Sequence, residues 1–147
     1  MAKNKLNQVY NIDSRHILES IPQNIEIQTT ITSPPYFDMK DYGSENQVGY
    51  GHIYEDYLND LQNIFGQILK ITKDDGTLWI IIYTFKRNNQ VVSLPFDLAN
   101  KLKDIGWFLQ DIIIWKKDKT VPWSTNGFMQ RKFEYILFFS KSPKYKS

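Results

Sequence analysis

The chain is 147 residues long and 41% hydrophobic, one domain's worth of sequence with enough apolar material to bury a core, which excludes disorder as its default state. Its 18 Lys and Arg nearly balance 16 Asp and Glu, and the net charge of +2 excludes a polycation that wraps nucleic acid, so any such contact must be local. The absence of cysteine excludes a disulfide scaffold, a thiolate zinc site, an iron–sulfur centre and every mechanism built on a Cys nucleophile.

The opening stretch, MAKNKLNQVYNID, lacks an apolar core of signal-peptide length. The longest apolar run, Leu78 to Tyr83, is far too short to cross a bilayer, so the expectation is a cytoplasmic protein with no membrane partner. Val9 to Ile12 has the composition of a short strand. Ser14 to Ser20 places Ile17 and Leu18 on a short helix closed by Pro22, with Asp13 at the strand-to-helix turn. Ile25 to Thr32 alternates apolar and polar residues, predicting a strand that runs into Ser33-Pro34-Pro35-Tyr36.

Beyond a polar loop, Tyr54, Tyr57, Leu58, Leu61, Ile64, Phe65, Ile68 and Leu69 recur at helical spacing. Asp74-Asp75-Gly76 reads as the turn that ends this helix, and Thr77 to Thr84 as a strand buried on both faces. A second helix spans about Pro95 to Ile105 and stops at Gly106. Strands follow at Trp107 to Trp115 and Phe133 to Phe139, with Trp79 and Trp115 expected in the core or at its edge. Strands alternating with helices imply one compact unit over 1–147, a three-layer α/β sandwich with a mainly parallel sheet, its last two strands pairing antiparallel at one edge.

Ligands of open α/β sheets bind beyond the carboxyl ends of strands, where Ser33-Pro34-Pro35-Tyr36 falls. Two prolines hold an extended backbone without N–H donors, so the Ser33 and Pro34 carbonyls can face a ligand. With the Ser33 hydroxyl and the flat Tyr36 ring, this set suits an exocyclic amine on an aromatic base: acceptors for two hydrogens and a surface to stack on. Ser-Pro-Pro after a strand is also commonly a plain turn.

The longer string TSPPYFDMKDYG, followed by QVGYG, YEDYLNDL, DDGTLWIII, DIIIWKKDK and FEYILFFSKSPKY, resembles the bacterial and phage DNA amino-methyltransferases of the permuted β class. Ser-Pro-Pro-Tyr is the form typical of the cytosine-N4 branch. The resemblance implies a sheet of the S-adenosylmethionine-dependent methyltransferase type and direct methyl transfer from S-adenosylmethionine to an amine of a flipped base in double-stranded DNA. Ser33, Pro34, Pro35 and Tyr36 would be the catalytic set, with Ser33 and Pro34 accepting the amine hydrogens and Tyr36 stacking on the base. Asp13, Ser14 and Ser33 would face the cofactor, although Asp13 serves equally as a helix N-cap.

The segment Phe37 to Gly51, with Phe37, Lys40 and Tyr42, would cover the base or the DNA backbone, or form a solvated loop. Lys116, Lys117, Lys119, Arg131 and Lys132 flank a loop holding Trp123, a basic and aromatic mixture that can contact phosphates or simply remain solvated. His16 and His52 are isolated, so no metal site is expected.

The family continues into a target-recognition region and an Asp-Pro-Phe-x-Gly cofactor loop, and no such string occurs here. The expectation is therefore the N-terminal catalytic half of a methyltransferase, an incomplete sheet whose Ser33 strand lacks a neighbour. It would act as a fragment or split subunit with a complementing half, or self-associate. Adenine-N6 methylation and a catalytically silent DNA-binding remnant are the alternatives.

Overall fold

The computed structural model describes residues 7–41, 43–44, 47–118 and 132–145. A 3-10 turn, Ser14–His16, leads into α1 (Ile17–Ser20), then β1 (Ile27–Thr32), α2 (Tyr54–Ile71) and β2 (Thr72–Ile82). A short pair, β3 (Phe85–Arg87) and β4 (Gln90–Val92), precedes α3 (Leu94–Asp104), β5 (Phe108–Lys116) and β6 (Phe133–Ser140).

The main sheet has the order β1-β2-β6-β5. β1 and β2 run parallel, and β6 lies antiparallel to both of its neighbours, so β5 runs with β1 and β2. The expected antiparallel pairing of the last two strands at an edge is present. The expected mainly parallel sheet is instead mixed, because β6 inserts between β2 and β5 and makes both of those pairings antiparallel.

One stripe of α2, formed by Tyr57, Leu58, Leu61, Ile64, Phe65 and Ile68, is buried. It packs with Leu94, Leu98, Ala99 and Leu102 of α3 over the sheet face that presents Leu78, Ile80 and Ile82 of β2 and Leu137 and Phe139 of β6. Each of the buried Leu, Ile and Phe side chains stabilises the fold by roughly 1.5–3 kcal/mol. Trp107 closes one end of this layer, its indole N–H donating to the Phe65 carbonyl at 3.1 Å.

The opposite sheet face differs. Trp79 stacks on Phe138 with centroids 4.0 Å apart, Tyr145 meets Phe138 edge-on, and Ile31, beside Trp79 in register, is 70% exposed. Among the described residues no helix covers this face and no strand pairs the outer edge of β1, so the expected three layers are two here. Trp79, expected in the core or at its edge, is half-buried on this opposite face, stacked on Phe138. Trp115, expected near the core, is 43% exposed with the Lys117 ammonium over its ring, because its position on β5 lies at the uncovered rim.

Two further expectations are corrected. Val9 to Ile12 forms no strand, and Val9 is fully exposed with nothing to pair against. Asp74-Asp75-Gly76 is not a turn: α2 passes directly into β2, and the extra residues bulge where the register jumps from Ile27↔Thr72 to Thr29↔Thr77. The Gln28 amide donates to the Asp75 carbonyl and carboxylate there, both at 3.2 Å. No described helix is long and apolar enough to cross a membrane.

A Cβ on Gly76 would lie 2.6 Å from the Thr72 methyl and 2.9 Å from the Gln28 carbonyl oxygen. Gly76→Ala is expected to destabilise by about 1–3 kcal/mol through this overpacking. Gly66→Ala, on α2 with its nearest neighbour at 3.6 Å, is expected to stabilise by up to ~1 kcal/mol through helix propensity. Urea unfolding of the two variants checks both signs.

Candidate active site

β1 delivers the chain to Ser33 at the edge of the sheet where the carboxyl ends of β1, β2 and β5 gather. Ser33 is exposed, Pro34 buried, and Pro35 and Tyr36 half-buried. The Ser33 and Tyr36 hydroxyl oxygens are 3.4 Å apart, so the structure brings the two ends of the predicted tetrapeptide together.

The Pro35 carbonyl is turned inward. It accepts the Phe37 N–H at 3.0 Å and the Tyr57 hydroxyl of α2. Burial raises the Tyr57 phenol above its ordinary pKa, opposed in part by the Phe37 backbone, and leaves it a neutral donor at physiological pH. Among the described residues no hydrogen bond reaches the Pro34 carbonyl. The tetrapeptide therefore leaves the Ser33 hydroxyl exposed at this edge, with the Tyr36 ring half-buried beside it and the Pro34 carbonyl without a hydrogen bond among the described residues, while Tyr57 holds the next carbonyl back.

Phe37, expected to touch DNA, is fully buried and cannot do so. Its ring lies 5.5, 5.4 and 5.9 Å from those of Tyr54, Tyr57 and Phe85. Its backbone is left-handed at φ +58°, a conformation that costs a bulky residue roughly 1–3 kcal/mol and persists only where packing enforces it. Gly49, at φ +90°, leaves room for this arrangement, since a Cβ there would be 2.6 Å from the Tyr57 ring and 3.1 Å from the Phe37 Cα. Buried Gln47 donates to the Lys40 carbonyl at 2.6 Å, so part of the 37–51 segment folds back onto the core instead of standing as a cover. Lys40 itself is exposed, and Tyr42 lies outside the described residues.

Asp13 is the N-cap of the 3-10 turn. Its Oδ1 accepts the Arg15 N–H at 2.9 Å and Nε at 3.0 Å, and its Oδ2 accepts Nε at 3.1 Å and a terminal guanidinium nitrogen at 2.6 Å. These bonds, the side-chain ones foremost, hold the Asp13 carboxyl at about 2. Arg15 also lies 3.9 Å from Asp60 of α2, and Gln67 donates to the Arg15 carbonyl at 2.7 Å. Of the two roles open to Asp13, the cap is thus the one that the geometry realises. Both carboxylate oxygens of the exposed Asp13 accept from Arg15 in this structure. Ser14 is exposed beside it, with no hydrogen bond to the tetrapeptide among the described residues.

Of the basic residues, Lys116 is exposed at the end of β5 and Lys132 is exposed just before β6. The Lys117 ammonium pairs with Glu134 at 3.1 Å and covers Trp115 at 3.5 Å. Lys119, Trp123 and Arg131 lie outside the described residues. His16 faces Glu19, His52 lies 4.0 Å from Asp60, and among the described residues no metal-binding group forms. Tyr57 escapes sequence reading because a tyrosine on the apolar stripe of a helix looks like any core residue.

Residues 27–147 match the family model for N6/N4 DNA methylases. The chain is 30% identical to the type II methyltransferase M.XycI of Xanthomonas campestris pv. cyanopsidis over 90% of its own length and 54% of that protein. It is likewise 30% identical to M.SmaI of Serratia marcescens, over 90% of itself and 55% of the relative. It spans about half the length of these curated relatives. A Thermus thermophilus protein, provisionally described as a DNA modification methylase and complexed with S-adenosyl-L-methionine, is similar in structure. The TM-score is 0.66 at 26% identity, over 92% of this chain and 55% of that one. The fold also resembles the cytosine-N4-specific PvuII DNA methyltransferase, with TM-score 0.72 at 21% identity, over 94% of this chain and 50% of that one.

Tyr57→Phe removes only the hydroxyl on Pro35 and is expected to destabilise by about 0.5–1.5 kcal/mol, with amide chemical-shift changes concentrated at Ser33, Tyr36 and Phe37. Urea unfolding and NMR read the two effects. The Asp13–Arg15 contact favours the ionised carboxylate, so its contribution to stability is complete above an unfolded carboxyl's pKa of about 3.9 and is lost as the pH falls through about 2. An NMR titration of the Asp13 carboxyl is expected to give a value near 2 in the native chain. Arg15→Gln should move it back toward the ordinary range.

Proposed function

The chain belongs to the N6/N4 DNA methylase family, and from that membership we propose that it is the catalytic part of a DNA methyltransferase acting on the N4 amine of cytosine. The observation that carries this reading is the frame at the carboxyl edge: Ser33 and Tyr36 hydroxyls 3.4 Å apart, a Pro34 carbonyl with no hydrogen bond among the described residues, and the Pro35 carbonyl held inward by Tyr57.

A cytosine amine is a weak nucleophile because its lone pair is delocalised into the ring. The Ser33 oxygen and the Pro34 carbonyl accept its two hydrogens, which draws the nitrogen toward a pyramidal geometry and frees the lone pair. Tyr36 presents its ring to the base once the base has left the duplex. S-adenosylmethionine, when bound, supplies the methyl group. No covalent enzyme intermediate is required, in keeping with a chain that has no cysteine.

On this reading the described residues supply the base-facing side of the site and only part of the cofactor-facing side. Ser33 fits a position between base and cofactor, whereas the carboxylate of Asp13 is filled by Arg15. The reading therefore includes a complementing methyltransferase segment that brings the cofactor loop. Three observations support this. The outer edge of β1 is open among the described residues, the Trp79–Phe138 face lacks a helix there, and the relatives are nearly twice as long as the aligned region. Self-association through the same edge is the competing way to cover it.

The test is methyl transfer from labelled S-adenosylmethionine to duplex DNA by the chain alone and mixed with the part of M.SmaI that the alignment leaves uncovered, followed by nucleoside analysis. N4-methylcytosine from the mixture alone is the expected result. N6-methyladenine overturns the choice of base, and methylation by the chain alone overturns the need for a complementing segment. Ser33→Ala is expected to lower turnover by about 10²–10³-fold, as removal of a transition-state hydrogen-bond partner does, and Tyr36→Ala to lower it through loss of the stacking surface. An unchanged rate in both would remove the tetrapeptide from the chemistry, and no methyl transfer by the chain or the mixture would favour the catalytically silent reading.

A further inference from the structure

β3 and β4 form a hairpin that projects from the carboxyl end of β2, the same edge as Ser33. Asn88 and Asn89, at φ +50° and +62°, make its two-residue turn, and the register pairs Arg87 with Gln90, Lys86 with Val91 and Phe85 with Val92. The base of the hairpin is packed into the core. Phe85 is buried and stacks on Phe37, the residue that directly follows the tetrapeptide.

The tip is different in kind. Lys86, Arg87, Asn88, Asn89 and Gln90 are all exposed, and none is acidic. The Arg87 guanidinium lies over the Phe37 ring at 5.1 Å, with the Asp38 carboxylate at 3.9 Å. An exposed pair at that distance is weak and is easily exchanged for a stronger anion. Two cations and three amide side chains on one two-stranded ribbon are suited to phosphodiester oxygens and to base edges in a groove. The ring contact places Arg87 over Phe37, the residue that follows Ser33–Tyr36 in the chain.

We propose that the Lys86–Gln90 hairpin tip is a DNA-backbone clamp that grips phosphates flanking the base held by Ser33 and Tyr36. This rests on the methyltransferase reading and adds a contact surface distinct from Lys116, Lys117 and the 37–51 segment. Because Phe37 is shared between the hairpin base and the tetrapeptide, the clamp sets the register of the duplex relative to the amine acceptors.

The test is fluorescence anisotropy of a labelled DNA duplex with the full chain over a series of salt concentrations. The native chain should bind at low salt and weaken as salt rises. Each phosphate contact contributes about 0.9 to the logarithmic slope, so Lys86→Ala/Arg87→Gln should lower the slope by about 2 and weaken binding at least tenfold at about 50 mM salt. Arg87→Gln keeps most of the stem over Phe37, and circular dichroism with urea unfolding verifies that the variant is folded. Lys144→Ala, at the opposite edge of the sheet, should match the native chain.

A folded double variant that binds like the native chain overturns the clamp and leaves the methyltransferase reading intact. A native chain with no salt-dependent binding overturns the clamp, whereas the methyltransferase reading stands or falls on methyl transfer by the mixture. Equal or tighter binding of an RNA duplex of the same sequence overturns DNA as the ligand.

Discussion

The carboxyl edge of the sheet depends on how one phenylalanine is held. The Phe37 ring fills the space between the start of α2 and the base of the β3–β4 hairpin, and this burial keeps its backbone in the left-handed region. With Phe37 in that conformation its N–H turns back to the Pro35 carbonyl, where the Tyr57 hydroxyl also arrives. The direction of the preceding tetrapeptide is thereby set from the core outward. Helix, hairpin and tetrapeptide share one anchor, so the exposed Ser33 hydroxyl is positioned by residues that no ligand touches.

The sheet is asymmetric in two ways that bear on the same place. Its helix-covered face is filled by Leu78, Ile80, Leu137 and Phe139, whereas its other face shows the Trp79–Phe138 stack and an exposed Ile31. Its outermost strand on the open side, β1, is also the strand that ends in Ser33. Any segment that completes the sheet at β1 therefore borders the amine acceptors. On the proposed reading, assembly and chemistry meet at one edge, and a loosely docked segment would disturb both.

Long periodic elements are legible in the sequence because burial imposes their spacing. The stripe from Tyr54 to Leu69 and the run from Leu78 to Ile82 appear in the structure as expected, with boundaries shifted by a few residues. Where local chemistry has two outcomes, the tertiary context decides. Asp74-Asp75-Gly76 is turn-forming in isolation, yet pairing with β1 draws it into the strand as a bulge. The hairpin at Phe85–Val92 escapes the sequence pattern because its strands are only three residues each, although Asn88-Asn89 carries the turn signal. The tetrapeptide is legible as a site from its place after a strand. The inward role of Phe37 is not, because an aromatic beside a candidate site looks the same whether it faces a ligand or the core.

The strand order also dictates a sequence of events during synthesis. β6 leaves the ribosome after the other described strands, yet it lies between β2 and β5, and it is the only described strand that touches both. Until residues 133–140 have emerged, β2 has one open edge, β5 has no described strand to pair with, and the apolar side chains of both wait for Leu137 and Phe139. Folding of the sheet is therefore a late, concerted event, with a window in which a nascent chain carries long unpaired strands and is exposed to aggregation or to chaperone capture. A ribosome that stalls between β5 and β6 would release a chain whose sheet cannot close.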